Sequence, residues 1–270
     1  MRISIITAAF NAEATIAEAI RSVATQGHPE IEHLVCDGAS SDATCAVVAR
    51  HAPPWMTLVS EPDAGLYHAI NAGILRSTGE VIGLVHADDV LAHPHVLEQV
   101  AAAFADPTVD AVYGDLDYVA RTRPGQVVRH WRAGRFSPGR LARGWMPPHP
   151  TLFLRRRVFA AHGLYDTRYR ISADYEAILR YFGRGRIRAV YLPGVMVRMR
   201  LGGESNRSLG RVLRKSAEDY RALRRHRVGG VATLLAKNFS KLPQFVRRAR
   251  DPGPGARAPL DGGTISRAPM

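Results

Sequence analysis

Two adjacent carboxylates, Asp88 and Asp89, stand just beyond the apolar run Val81-Ile82-Gly83-Leu84-Val85. A run of that composition reads as a strand buried on both faces, and Asp is a poor strand former, so the pair belongs where the strand stops. Hard oxygen donors in that position suit a divalent cation such as Mg2+ or Mn2+, which can in turn hold phosphates. A helix cap would use Asp88 alone and leave Asp89 unexplained. Carboxylates also close the two preceding apolar runs: Asp37 follows residues 31–36, and Glu61 and Asp63 follow residues 56–60. One strand-end Asp is an ordinary cap, whereas three consecutive strands ending this way mark a site. A further carboxylate, Asp174, sits in Ser172-Ala173-Asp174-Tyr175-Glu176 at the opening of a later helix. In that position it looks the same as an ordinary helix start.

The elements that must position these groups alternate. Residues 3–7, 31–36, 56–60 and 81–85 read as strands, with helical spacing between them, such as Ile16, Ile20 and Val23 ahead of a stop at Gly27. Alternation at this spacing implies a parallel sheet with right-handed crossovers, so the carboxylates share the edge where open α/β sheets bind ligands. The first strand-to-helix turn has no G-x-G-x-x-G and no strand is followed by a P-loop Lys, which disfavours dinucleotide and Walker-type binding. Further on, residues 94–104 predict a helix, 111–119 and 127–131 strands, and 188–198 a last strand. His149, enclosed in Met146-Pro147-Pro148-His149-Pro150, lies in a rigid loop and either reaches a ligand or does no chemistry.

The chain has 270 residues, 46% of them hydrophobic, and no apolar run near the ~20 residues that span a bilayer. Its two cysteines form neither a metal pattern nor a disulfide framework, which fits a reducing compartment. The net charge of +13 is concentrated: between Asn206 and Arg250 thirteen Lys and Arg face only Glu218 and Asp219, a local net of +11. In that segment Val231, Leu234, Leu235, Phe239, Leu242 and Phe245 form an apolar helical face. A solvated helix face, a membrane-surface helix and a nucleic-acid patch are the three readings. Interleaved Phe and Leu favour an anionic membrane surface, and the carboxylate-lined edge would repel a nucleic-acid backbone. Residues 251–270 hold eight Gly or Pro and predict a disordered tail. The expected division is therefore 1–205, 206–250 and 251–270.

Taken in order, Thr7-Ala8-Ala9-Phe10-Asn11, Asp37-Gly38-Ala39-Ser40-Ser41-Asp42, Glu61-Pro62-Asp63-Ala64-Gly65-Leu66-Tyr67, Ala69-Ile70-Asn71-Ala72-Gly73, Gly79-Glu80 and the carboxylate pair resemble a family 2 glycosyltransferase. The likeness covers about residues 3–205 and is nearest to bacterial transferases that build cell-surface polysaccharides and glycolipids. It implies the GT-A fold, an α/β architecture with a Rossmann-like, mostly parallel sheet flanked by helices, here with a basic C-terminal helical appendage. It implies a nucleotide-sugar pocket: Asp37 on the base or ribose, with Thr7, Ala9, Asn11, Glu61, Asp63, Asn71 and Asp88. Asp88 and Asp89 resemble the motif for Mg2+ or Mn2+, with His86 where Asp or Asn is commoner. Asp174 matches the family's general base in an inverting transfer, and His149 and Tyr175 fall on the acceptor side. Gly202-Gly203 resembles the mobile loop that closes over the donor. The processive synthases' Gln-x-x-Arg-Trp motif and membrane spans are lacking, which implies a single addition.

The partners implied are a nucleotide-sugar donor, a lipid-linked or polysaccharide acceptor, and an anionic membrane surface met by residues 206–250. Nucleic acid is not among them. The location implied is cytoplasmic, peripheral on the inner face of the cell membrane. Two rivals stand beside this reading. A sugar nucleotidylyltransferase would need a Gly-rich basic opening loop that is missing, and a non-catalytic scaffold at the membrane would not need the carboxylate set.

Overall fold

A computed structural model describes residues 1–121, 123–202 and 209–239. Among these residues nine strands form one sheet: β1 (Ile3–Ala9), β2 (Ile31–Asp37), β3 (Met56–Ser60), β4 (Val81–Leu84), β5 (Val90–Leu91), β6 (Ala111–Ala120), β7 (Arg123–Trp131), β8 (Phe153–Arg155) and β9 (Ala189–Arg200). The helices are α1 (Ile16–Ala24), α2 (Thr44–His51), α3 (Leu66–Arg76), α4 (Val96–Ala103), α5 (Pro138–Leu141), α6 (Arg156–His162), α7 (Ala173–Ile178), α8 (Leu209–His226) and α9 (Val231–Phe239). A π-helical turn, Leu179–Arg184, continues α7.

The strands run in the order β3-β2-β1-β4-β8-β6-β9-β5, with β7 hairpinned onto β6. The first four are parallel, as the alternation of strands and helices requires. Ala9 pairs with Asp37 and Asp37 with Ser60, so the ends of β1, β2 and β3 lie level on one edge. β4 stops at Leu84, paired with Ile6, and the chain then turns at His86, whose carbonyl accepts from the N–H of Asp89. Beyond β4 the sheet becomes mixed, because β8 lies antiparallel between β4 and β6. Gly83 permits this packing: a Cβ there would stand 2.3 Å from the ring of Phe153.

Consecutive strand residues feed opposite faces. Ile5, Val81 and Val112 join the core under α1 and α4, while Ile6, Ile82 and Tyr113 join the core under α3, α6 and α7. The second core also contains Ala222 and Leu223 of α8, both 0% exposed. The boundary expected at residue 205 therefore does not separate an appendage. One face of α8 is a wall of the main body, since its apolar residues recur at helical spacing and must be covered. α9 is docked as closely. Gly144 takes φ +78°, and a Cβ there would meet the backbone of Lys237 at 2.6 Å. Among the described residues no helix is long and apolar enough to cross a membrane. The expected tail, and residues 206–208 and 240–250 of the basic segment, lie outside the described residues.

Candidate active site

The edge formed by β1, β2 and β3 is built from turns that satisfy their own polar groups. Asp37 is buried at the end of β2 and accepts from the Ser40 N–H at 2.9 Å, the Ser60 hydroxyl at 2.7 Å, Cys45 Sγ at 3.3 Å and the Ser40 hydroxyl. Burial pushes its carboxyl up, but the bonds from Ser40 and Ser60 outweigh it and hold the group below the usual range. Asn11 ties the neighbouring turn in: it takes φ +48°, and its Oδ1 accepts from the Ser41 N–H at 2.9 Å. Asn tolerates this left-handed conformation better than most residues. The backbone of Ala9 serves the same edge by accepting from the N–H of Gly38. Asp37, Glu61 and Asp63 line a small cleft with Arg76, which is paired to Glu61 at 2.7 Å.

Asp88 lines a second cleft with Glu18, Arg198 and Arg200. Arg200 is buried and ion-paired with Glu18, whereas Arg198 is exposed. His86 is half-buried two residues before Asp88. Burial lowers its pKa, opposed by the charges of Asp88 and of Asp174. One imidazole therefore lies within the fields of both the strand-end carboxylate and the one at the start of α7. His149 completes the cluster. Its ring centroid is 6.1 Å from that of His86, and its Nε2 meets the Tyr165 hydroxyl at 2.9 Å. Burial pulls its pKa down to about 4, against the pull of Asp174, so it is a neutral imidazole at pH 7. Tyr67 stacks on Tyr165 at 5.8 Å, and its hydroxyl donates to Asp174 Oδ1 at 3.2 Å and to the Ile171 carbonyl at 3.0 Å.

Four expected site residues are elsewhere. Thr7 is fully buried, with its hydroxyl engaged to His33 Nε2 at 2.9 Å, so it supports the edge from within. Asn71 donates from Nδ2 to the Tyr165 carbonyl at 2.8 Å and accepts from the Tyr165 N–H at 3.0 Å, which makes it a clamp between α3 and the loop under His149. Tyr175 is 1% exposed and faces away from the cleft, with Lys237 Nζ 3.1 Å from its ring centroid. It follows Asp174 by one residue, and a helix turns successive side chains by about 100°. Asp89 is 1% exposed and its carboxylate makes no side-chain hydrogen bond, while the backbone and the charge of Arg200 favour its ionised form. Burial, reinforced by the charge of Asp88, holds its pKa well above the usual range. The pair is thus split by the turn, with Asp88 at the cleft and Asp89 inside.

The donor set that remains is small. Among the described residues no three His, Cys, Asp or Glu side chains converge to hold an ion. Asp88 with His86 beside it suits an ion that takes its other ligands from water and a substrate diphosphate, as Mg2+ does. Sequence reasoning missed Glu18, Arg198 and Arg200, because nothing local in β9 or α1 distinguishes them from surface charge. It also missed Glu218, although two acids among thirteen bases were a signal. Of the Gly202-Gly203 pair, Gly203 lies outside the described residues.

Comparison with known proteins gives the family and the fold. The family profile described as Glycosyl transferase family 2 matches residues 4–162. A PGL/p-HBAD biosynthesis glycosyltransferase of Mycobacterium bovis (strain BCG / Pasteur 1173P2) is 30% identical over 208 residues, 75% of this chain and 78% of the relative. Among solved structures, the mannosyltransferase PcManGT from Pyrobaculum calidifontis, in complex with GDP-Man and Mn2+, superposes with a TM-score of 0.63 at 22% identity, covering 90% of this chain and 70% of that one. S. aureus TarS 1-349 in complex with UDP-GlcNAc superposes with a TM-score of 0.58 at 18% identity, covering 91% of this chain and 79% of that one. This chain covers 39% of the longer TarS chain. At these identities the two structures share the fold.

Proposed function

The chain belongs to glycosyl transferase family 2 and is a nucleotide-sugar-dependent glycosyltransferase; from that premise we propose that it moves one sugar, with inversion, onto a hydroxyl of a lipid-linked acceptor. The observation that carries the reading is the run of contacts from Asp174 through Tyr67, Tyr165 and His149 to His86, two residues before Asp88. A donor site and a base linked in this way are what single-step transfer needs. The donor's base occupies the cleft at Asp37, Glu61 and Asp63, and its diphosphate lies at Asp88, between the edge and the arginines of β9. Donors of this class are supported by the GDP-Man and UDP-GlcNAc that the structural neighbours bind. Asp88, with His86 alongside, would hold Mg2+ or Mn2+, which supplies positive charge for the departing diphosphate.

Asp174 takes the proton from the acceptor hydroxyl as its oxygen attacks the anomeric carbon from the face opposite the diphosphate. The new C–O bond forms, the bond to the phosphate oxygen breaks with its electron pair, and the proton ends on Asp174. The Tyr67 hydroxyl holds Asp174 through Oδ1. His149, neutral and bonded to Tyr165, borders the acceptor side without adding charge there.

The lipid-linked class is supported by α8. The outward face of α8 combines exposed Leu213 and Tyr220 with exposed Arg214, Arg221 and Arg224. Each basic residue at an anionic surface contributes about 1 kcal/mol, so this face suffices for reversible binding at the inner leaflet. A panel of UDP- and GDP-sugars with Mn2+ tests the donor reading by thermal shift. Saturation near 100-fold above Kd adds about 2.7 kcal/mol, or roughly 5–10 °C in Tm. A panel without any stabilising sugar, or turnover that persists in EDTA, rejects the site as described. Sedimentation with anionic but not neutral vesicles, weakening with salt, tests the membrane face; a chain left in the supernatant at low salt rejects it.

A further inference from the structure

The helix that carries Asp174 has no cap of its own. Ser172 precedes α7 and makes no side-chain bond to its first turn. The backbone N–H groups leading into the helix go instead to one distant carboxylate. Glu218 Oε1 accepts from Arg170 at 3.2 Å, and Oε2 accepts from Ile171 and Ser172 at 2.9 Å each. On its other side the same turn is held by Tyr67, which bonds the Ile171 carbonyl and Asp174 itself. Glu218 is 6% exposed, and it is one of two acids in the strongly basic stretch between Asn206 and Arg250. Burying a carboxylate costs desolvation unless hydrogen bonds compensate, and a hydroxyl such as that of Ser172 is the cheaper way to cap a helix. Three charge-assisted bonds to a turn of three residues fix that turn more rigidly than a local cap does.

We propose that Glu218 is a positioning residue for glycosyl transfer: from α8 it locks residues 170–172 so that Asp174 stands at the acceptor hydroxyl. The inference rests on the reading of Asp174 as the base. A second bond from α8 holds the far side of the same helix, where His226 Nε2 meets Glu176 Oε1 at 2.8 Å. That contact fastens α7 to the body but does not touch the turn, which makes His226 the matched control.

The test is a double-mutant cycle in the full-length chain, using the stabilising sugar from the UDP and GDP panel with Mn2+ and reading released nucleoside diphosphate, with water as acceptor. Misplacing a catalytic group by about 1 Å costs up to roughly a hundredfold, so Glu218→Gln is expected to lower kcat by about tenfold or more. Donor KM is expected to stay within about twofold, since the donor edge is not touched. In the Asp174→Asn background Glu218→Gln is expected to add nothing, because a residue acting only through Asp174 has no further effect once that group is gone. His226→Gln, assayed below its own Tm, is expected to keep wild-type kcat. Multiplying losses in the double variant, an unchanged kcat in Glu218→Gln, or an equal kcat loss in His226→Gln would overturn the proposal. If Asp174→Asn alone leaves turnover intact, the underlying reading of the base fails, and that result comes from a variant in which Glu218 is untouched.

Discussion

The donor edge and the start of α7 are built by opposite means. At the donor edge the polar side chains find partners 2 to 30 residues away: Asp63 on Gly65, Asp37 on Ser40, Cys45 and Ser60, Asn11 on Ser41. At the start of α7 they reach 46 to 107 residues, to Glu218 and to Tyr67. An edge made of self-satisfied turns forms wherever the parallel strands form. A helix start held from α3 and α8 exists only when the whole fold closes around it. Donor binding is therefore expected to survive distant damage that removes turnover.

The largest effect expected is at the boundary between the two regions. A chain ending at residue 208 loses Ala222 and Leu223 from the core, Glu218 from the turn and His226 from Glu176. It is expected to show no cooperative unfolding transition, and Leu223→Ala in the full chain to lose about 2–5 kcal/mol. A shortened chain that melts cooperatively would mean that α8 is an appendage after all.

Next in size is the contrast between neighbours on the donor side. Asp88→Asn is expected to cut metal-dependent turnover by about a hundredfold, the scale of losing a key electrostatic group. Asp89→Asn is expected to leave kcat within about twofold and not to lower Tm, since burial and the charge of Asp88 already disfavour a charged carboxylate there and the amide removes that charge. Equal losses in the two variants would restore both carboxylates to the metal site.

The smallest effect is a slope. His33, under the donor edge, has its pKa lowered by burial to about 3, and His149, under the acceptor side, to about 4. Both lie below the unfolded value near 6.5, so their contribution is fully present above pH 6.5 and is lost as pH falls towards 4 and then 3. Between pH 6.5 and 4.5 the two rings lower Tm as pH falls, while Asp89, whose raised pKa favours the folded state at lower pH, pulls the other way; His33→Gln or His149→Gln is expected to flatten the decline relative to wild type. Variants whose Tm follows the wild-type pH profile would contradict the burial of both rings.

What was legible in the sequence follows the same division. The strand-end carboxylates, the parallel order of the first four strands and the family resemblance all rest on short segments, and the structure keeps them. The direction of a side chain at a turn is not a property of a segment. Asp88 and Asp89 are adjacent and alike in chemistry, and only the turn at His86 sends one to the cleft and the other inside. Asn71 and Thr7 sit within family-like stretches, yet their partners, Tyr165 and His33, are known only once α3 and β2 are in place. The basic segment is hard to read for a physical reason: of its described residues, Arg214, Arg221, Arg224 and Arg225 lie on the outward face of α8, while the residues that matter to the fold, Glu218, Leu223 and His226, are spaced along the other.

The central claim is that Asp174 performs chemistry in a cleft whose donor half is built without it. Asp174→Asn, measured with the stabilising nucleotide sugar and Mn2+, decides this directly. The account predicts a kcat lowered by roughly a hundredfold or more, with donor affinity and Tm unchanged. A variant that keeps its kcat, or that loses donor binding along with it, would contradict the account.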